Sequence, residues 1–500
     1  MTAAAAAPMP SNGRDGRMGR TCLLLLLVTF ALVMWFGVRH GIGTSWRECD
    51  TQAIARNFVR DGFDPLRPRV DWRGDTDGAV ECEFPCYQLL VGAALAWFGD
   101  VEWPGRALSL LSLLFAMTAL HRLLEARCGP AGALAGVLVF ACSGSAALLA
   151  TRVMPDALCL AFALASLVPF VRYLEQGRGS ALLLAAAALA LAGLQKPLAL
   201  QIGMVQFGWA AVMAPRRLRE SRLWFAWSAV LALVGAWLWH GRDLHTETGL
   251  TFGVVSGGDS KFPDVEHLLS PDTWWSLFCT SLRHGCSVFG VIAFGVLLLR
   301  RRLDRRDAVL LGAVAIGLLV SLRYSCTSGL GPHYHMFAAV AGAWLVARAW
   351  PASGHRWLWL ALLLATAAHA AWRLRDERGM RNVVIEHPLV PAAAAVRAAT
   401  EPADLVVVHG DKPQLDLEWH RPNNFEDPRV FYLAERRGWA LSSDALDPAL
   451  LADLRRRGAR VLLDEVPQLL PAPVAQWLAA NAELLFDRDG VRVYRLHRGE

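Results

Sequence analysis

The chain has no C-x-x-C pair, no glycine fingerprint after a strand, no internal repeat and no large net charge, and each absence removes a class of function. Its ten cysteines are spread thinly. Cys82 and Cys86 stand in a spacing that fits neither a zinc knuckle nor a redox motif. The strand-like run from Leu405 to His409 continues as H-G-D-K-P, without the glycines that would cradle a nucleotide phosphate. A net charge of only +6 over 500 residues does not suggest a nucleic-acid partner. Repeated halves, common in transporters, are missing. No small-residue cleavage site follows the first apolar run, Thr21–Val38, so that run reads as an uncleaved span rather than a signal peptide.

What is present is apolar surface. The composition is 54% hydrophobic with a mean hydropathy of +0.32, which suits a multi-span membrane protein and not a soluble domain. After the first run, apolar stretches fall near 104–124, 131–150, 156–173, 180–195, 197–214, 222–240, 284–300, 308–323, 334–350 and 355–372. The fold class expected is an α-helical polytopic membrane protein of about eleven spans with a C-terminal extramembrane α/β domain. Residues 86–98 are too short for a span and read as an interfacial helix. With that choice Arg122/Arg127, Arg172/Arg178, the cluster Arg216–Arg222, the cluster Arg300–Arg306 and Arg348/Arg356 all fall on one side. The positive-inside rule makes that side cytoplasmic. Residues 1–20 are expected to be a disordered cytoplasmic N-terminus, and 21–375 the membrane domain with an outer loop at 39–103. Residues 378–500 form the outer α/β domain. In it Leu405–His409 and Arg460–Leu463 read as strands, Asp447–Arg457 and Ala472–Ala482 as helices, and Asp489-Gly490 as a hairpin turn. The Ala- and Arg-rich usage suggests a bacterial chain, which places it in the inner membrane with this domain in the periplasm.

The outer loop from Trp46 to Tyr87 organises the rest. It carries Glu48, Asp50, Glu81 and Glu83 among Arg, Trp and Pro, and acids held against a membrane either face water or do chemistry. Other polar residues gather at the same face: Arg152 and Asp156 in R-V-M-P-D, Lys196 in L-Q-K-P, Arg323 with Tyr324, and His333-Tyr334-His335. Each has a plain alternative. Lys196 can snorkel, Asp156 can cap a helix, and the histidines can be interfacial surface residues. Together they describe a pocket with carboxylates on one wall and Lys, Arg and His on the other, which can deprotonate a hydroxyl while holding a departing phosphate. Cys49, Cys82, Cys86 and Cys326 fall on this side as well, and a disulfide among them is left open.

This order of motifs resembles the GT-C membrane glycosyltransferases, in the branch of the protein O-mannosyltransferases, the aminoarabinose transferase of lipid A and the family 39 and RgtA-like enzymes. The matching features are Glu48 and Asp50 followed by A-I-A-R-N-F, then E-F-P-C-Y at 83–87, P-D at 155–156, Lys196 at a span end, and H-Y-H at 333–335. The resemblance implies a GT-C fold over roughly residues 20–350 and a sugar donor carried on a polyprenyl phosphate. It makes Asp50 the first choice for the catalytic base and Glu48 the second, since E-C-D stands where the family often has adjacent Asp-Glu. It places Glu83, Asp156, Lys196, His333, Tyr334 and His335 at the substrate site, to which the gathering of polar residues at the same face adds Arg152 and Arg323. Phe84 stands where the family often has a phosphate-binding Lys, which leaves that contact to Arg69, Arg73 or Lys196. The expected activity is inverting transfer of a hexosyl or pentosyl group to a glycan, lipid or protein acceptor, with membrane lipids as the surroundings. No cofactor is assigned. The acids are compatible with a divalent metal, but no ligand spacing identifies one. A lipid-linked substrate transporter and a non-catalytic envelope scaffold are the alternatives.

Overall fold

The computed structural model describes residues 13–39, 41–257, 262–327, 331–350, 356–416 and 421–498. The expected disorder at 1–12 lies outside them, whereas 13–20 already belong to the first helix, α1 (Gly13–Gly37). Helix propagation from the leucine run adds one hydrogen bond per residue, which extends the helix back over R-M-G-R.

The outer loop then forms α2 (Trp46–Asp61) and α3 (Cys86–Phe98). The short α3 leaves Trp97 88% exposed, as an interfacial aromatic would be. Next come α4 (Trp103–Ala141), α5 (Gly144–Thr151), α6 (Asp156–Gln176), α7 (Gly179–Gln195), α8 (Gln201–Met213) and α9 (Ser221–Thr248). The two runs expected at 104–124 and 131–150 are arranged differently: α4 carries a break at Gly129 (φ 75°, ψ 173°) before Pro130, and Ser143 then caps α5 separately. Proline cannot donate its missing N–H, so the chain bends there without ending the helical run. The remaining helices are α10 (Val265–Leu269), α11 (Pro271–His284), α12 (Ser287–Leu299), α13 (Arg305–Val320), α14 (Leu322–Ser325), α15 (Met336–Ala349), α16 (Arg356–Ile385) and α17 (Leu389–Ala398).

Among the described residues four helices are long and apolar enough to cross a membrane: α1 from Met18, α4, α6 and α9. The number is five if α11 and α12, bent by 104°, count as one span; α7 and the Pro197–Met213 stretch are shorter apolar helices. The main core lies among α4, α6, α7, α8, α13 and α15, around Leu120, Phe140, Leu164, Phe170 and Trp344. Small residues bring helices close: a Cβ on Gly132 or Gly136 would meet the carbonyls of Ala347 or Ala343 on α15 at 2.8 and 2.7 Å.

Beyond α16 lies the α/β region. Its strands are β1 (Leu405–His409), β2 (Leu415–Asp416), β3 (Arg421–Pro422), β4 (Arg437–Leu441), β5 (Ala459–Asp464), β6 (Ala482–Arg488) and β7 (Val491–Leu496). Five of them form a sheet in the order β4-β1-β5-β7-β6, parallel across β4, β1 and β5 and antiparallel across β5, β7 and β6. Helices α18 (Arg429–Ala434), α19 (Pro448–Arg456) and α20 (Ala472–Asn481) accompany it. The sheet shares a core with the outer loop: Ile54, Phe58, Val70 and Trp72 pack with Leu389, Val406 and Phe431. Backbone bonds from Gly74 N–H to the Gly438 carbonyl (2.6 Å) and from Gly438 N–H to Asp71 (3.1 Å) join the two. Helix α2 is therefore held between the long apolar helices and the C-terminal sheet.

Candidate functional site

Helix α2 buries Glu48, Cys49, Asp50, Thr51 and Gln52 in succession, because it is enclosed on both sides. Residues two apart on a helix do not face each other. Glu48 and Asp50 therefore enter different surroundings, although they stand in one E-C-D triplet.

Glu48 is fully buried and bound by cations. Arg381 Nη1 donates to its Oε2 at 2.6 Å, Arg152 Nη1 at 3.3 Å, and the Val153 N–H to Oε1 at 2.8 Å. Arg152 also donates through Nε to Glu377 at 2.8 Å, and Arg381 to the Thr151 carbonyl at 3.1 Å. Burial opposes ionisation of Glu48, but Arg381, Arg152 and the Val153 amide outweigh it and hold the carboxyl below its ordinary value. A carboxylate so committed is a poor proton acceptor.

Asp50 is 3% exposed, and the Trp72 indole donates to it, Nε1 to Oδ1 at 3.0 Å. Burial pushes its pKa up to about 8. Asp427 and Asp71 add to the rise, while Trp72 and Arg47 oppose it. Arg47 lies three residues before Asp50, hence beside it on the helix. Its Nη2 donates to both Glu83 oxygens at 3.2 and 3.1 Å, and its guanidinium stands 5.7 Å from the Phe252 ring.

The Glu83 segment is pinned where α7 ends: Phe84 N–H donates to the Leu194 carbonyl at 3.0 Å. Just past that end, Lys196 turns its ammonium to Asp156, 2.5 Å away, and over the Tyr334 ring at 5.0 Å. Asp156 opens α6 immediately after Pro155 and is fully buried, while Lys196 is 7% exposed. The His333 and Tyr334 rings lie tilted by 37° with centroids 4.4 Å apart, and Asp156 feels the charges of Lys196, His333 and Arg47 together. Asp50, Glu83, Asp156, Lys196, His333 and Tyr334 thus form one polar cluster, joined by Arg47.

Other sequence-marked residues stand apart. His335 is fully buried, its Nε2 2.7 Å from the Ser325 carbonyl and its Nδ1 3.3 Å from Ser281 Oγ, which is a packing role. Arg323 is on α14 beside Tyr324, whose ring lies 5.5 Å from Tyr334. Arg152 serves Glu48 and Glu377. Arg73 is bound to Asp61 and the Asp77 carbonyl, and Arg69 to the Asp61 carbonyl, so both are used within the outer loop. All ten cysteines are free thiols. Among the described residues no group of three or more His, Cys, Asp or Glu side chains is placed to hold a metal. Sequence reasoning missed Arg47, Trp72, Glu377 and Arg381. The last two stand four apart in R-D-E-R-G-M-R, one face of a helix continuing past its apolar part, and that spacing was the available signal.

A family model described as dolichyl-phosphate-mannose-protein mannosyltransferase matches residues 83–240, a segment that opens on Glu83 and contains Asp156 and Lys196. Among solved structures, ArnT from Cupriavidus metallidurans in the apo state is similar over 95% of this chain and 98% of its own, with a TM-score of 0.62 and 14% identity. The same protein bound to undecaprenyl phosphate gives a TM-score of 0.58 at 15% identity, with coverage of 95% and 98%. The archaeal oligosaccharyltransferase AglB from Archaeoglobus fulgidus, in complex with an inhibitory peptide and a dolichol-phosphate, gives 0.56 at 12% identity, covering 97% of this chain and 75% of that one. No curated protein sequence matches. The fold is that of the GT-C membrane glycosyltransferases.

Proposed function

We propose that this chain, built on the GT-C fold, is an integral membrane glycosyltransferase that moves a sugar from a polyprenyl phosphate to an acceptor hydroxyl at the outer face. The observation that carries the reading is the placing of buried Asp50, with a pKa near 8, beside a pocket that holds Arg47 and Lys196. In the reaction, Asp50 accepts the proton of the acceptor hydroxyl. The hydroxyl oxygen forms the new bond to the anomeric carbon from the side opposite the phosphate. The bond from that carbon to the phosphate oxygen breaks, its electron pair stays on the phosphate, and the configuration inverts. Lys196 and Arg47 face the charge that develops there, with Glu83 and Asp156 holding each cation in place. His333 and Tyr334 line the donor side. Glu48 acts as a positioning residue that fixes α2 through Arg381 and Arg152.

A base with a pKa close to the working pH is the efficient choice, and its removal typically costs about 10²–10⁴ in rate. The test is sugar transfer by the purified, lipid-reconstituted chain from labelled polyprenyl-phosphate sugars to a crude envelope acceptor. Asp50→Asn is expected to lower transfer about 10²–10⁴-fold while binding of the polyprenyl phosphate persists. Full transfer by Asp50→Asn would move the base elsewhere. Export of the intact lipid-linked sugar with no transfer would favour the transporter reading, because the polar residues would then line a path and not a reaction centre.

A further inference from the structure

At the end of the membrane domain opposite this pocket lies a cavity of about 590 Å³. Helix α4 starts beside the outer loop and reaches Arg122 some 28 Å further on; α6 starts at Asp156 and reaches Arg172 about 24 Å on, at 1.5 Å per residue. Arg122, Arg127, Arg172 and Arg306 rim the cavity, with Glu125 and Glu175 as its carboxylates. That side is the one the positive-inside rule assigns to the cytoplasm.

Beside Glu125 and Glu175 in the lining, the acids just outside it are already engaged. Asp304 holds Arg127 and caps α13, and Asp307 accepts from the Trp344 indole at 2.8 Å and Arg348 Nε at 3.2 Å. Glu220 binds Arg217 at 2.6 Å, Arg222 at 2.7 Å and the Tyr173 hydroxyl at 2.6 Å. Among the described residues Arg122, Arg172 and Arg306 have no carboxylate partner within ion-pair distance. The floor is apolar: Trp209 and Trp344 pack with rings 5.6 Å apart and are buried. The Trp209 indole donates to the Arg306 carbonyl at 3.2 Å and so fixes the backbone from which that guanidinium springs.

Guanidiniums without partners above an apolar floor match an amphiphile with a phosphate head. Arginine recognises phosphate through paired N–H donors, and basic pockets between membrane helices on this side suit anionic lipid headgroups. We propose that this cavity binds the phosphate headgroup of an anionic phospholipid from the inner leaflet. This stands whether or not the transferase reading does.

The full chain, purified and delipidated in neutral detergent, would be titrated with phosphatidylglycerol or phosphatidylcholine of the same acyl chains, and bound lipid counted by native mass spectrometry. Wild type is expected to prefer phosphatidylglycerol. Each arginine near an anionic head contributes about fivefold, so Arg122→Gln with Arg172→Gln and Arg306→Gln should weaken it about a hundredfold. Phosphatidylcholine binding should not change. Arg216→Gln with Arg219→Gln, in a cluster outside the cavity, should leave both unchanged. Resistance of the bound lipid to millimolar inorganic phosphate would support the headgroup; its displacement would support a phosphate site fed from solution. Should the triple variant unfold, Arg122→Gln or Arg172→Gln alone, both at exposed positions, is expected to show its fivefold share. No preference for phosphatidylglycerol, or an equal loss in the Arg216/Arg219 variant, would overturn the proposal.

Discussion

The substitutions Glu48→Gln and Asp50→Asn should separate stability from turnover, although the two residues are neighbours in sequence. Glu48 is fully buried, and Arg381 Nη1 lies 2.6 Å away with an exposure of 1%. Glutamine keeps the shape and removes the charge. Arg152 retains Glu377 at 2.8 Å, but Arg381 keeps only neutral acceptors, the Thr151 carbonyl at 3.1 Å and an amide oxygen, with no carboxylate to balance its charge. Breaking a buried pair in this way costs about 3–5 kcal/mol. Asp50 is the opposite case. With a pKa near 8 it is about nine-tenths neutral at pH 7, so asparagine imitates its resting form and still accepts the Trp72 bond. That change should cost no more than about 1 kcal/mol. Transfer should nevertheless fall about 10²–10⁴-fold, because the proton acceptor is gone. Thermal unfolding of both variants in detergent, beside turnover of the folded fraction, gives the comparison. A Glu48→Gln chain as stable as wild type and inactive, with an unfolded Asp50→Asn chain, would reverse the two roles and refute the reasoning.

Three further outcomes are expected. The ionised fraction of Asp50 grows as pH rises, so the transfer rate should climb about tenfold per unit below pH 8 and level off above it; a profile flat from pH 6 to 9 would exclude Asp50 as the base. Lys196→Met should lower turnover about 10²–10³-fold by removing the cation that faces the leaving phosphate, which single-turnover transfer would measure. Gly438→Ala puts a Cβ 1.8 Å from the Val406 carbonyl and 2.6 Å from its nitrogen. Backbone cannot yield as a side-chain tip can, so the β1–β4 pairing should lose about 3 kcal/mol, and limited proteolysis should open the C-terminal sheet first.

Helices were the most legible part of the fold, because membrane apolarity leaves long signals. The runs read at 156–173, 180–195 and 222–240 correspond to α6, α7 and α9 within a few residues at most boundaries. Where a boundary depends on backbone geometry, hydropathy said less. Nothing in the apolar count marks the turn at Ser143 that divides α4 from α5, nor the 104° bend between α11 and α12. The run at 355–372 stops where side chains become charged, yet α16 continues to Ile385, since a helix outlasts its apolar stretch when the charges beyond it find partners. The strand at Leu405–His409 was readable from β-branched residues between turn signals, whereas its neighbours in the sheet depend on contacts remote in sequence.

The site was legible as a set of residues and not as a set of contacts. Lys196 and Asp156 are forty residues apart, and only the return of α7 beside α6 places them 2.5 Å apart. The E-C-D triplet is ambiguous on paper because either acid can be a base. Helical geometry sends one to Arg381 and the other to Trp72, and that difference is what the proposal of Asp50 as the base rests on. Arg381 belongs to the helix that leads into the C-terminal domain, so that domain cannot shift against α2 without parting a buried ion pair, a cost of several kcal/mol. The C-terminal domain also touches α2 directly, through Arg56 to the carbonyl of Tyr432 on α18 at 3.1 Å. Asp50 therefore sits on an element clamped from two sides, and precise placement of a proton acceptor depends on such support. On the proposed mechanism, a C-terminal domain with no chemistry of its own would still be required for turnover, by keeping Asp50 where the acceptor hydroxyl must meet it.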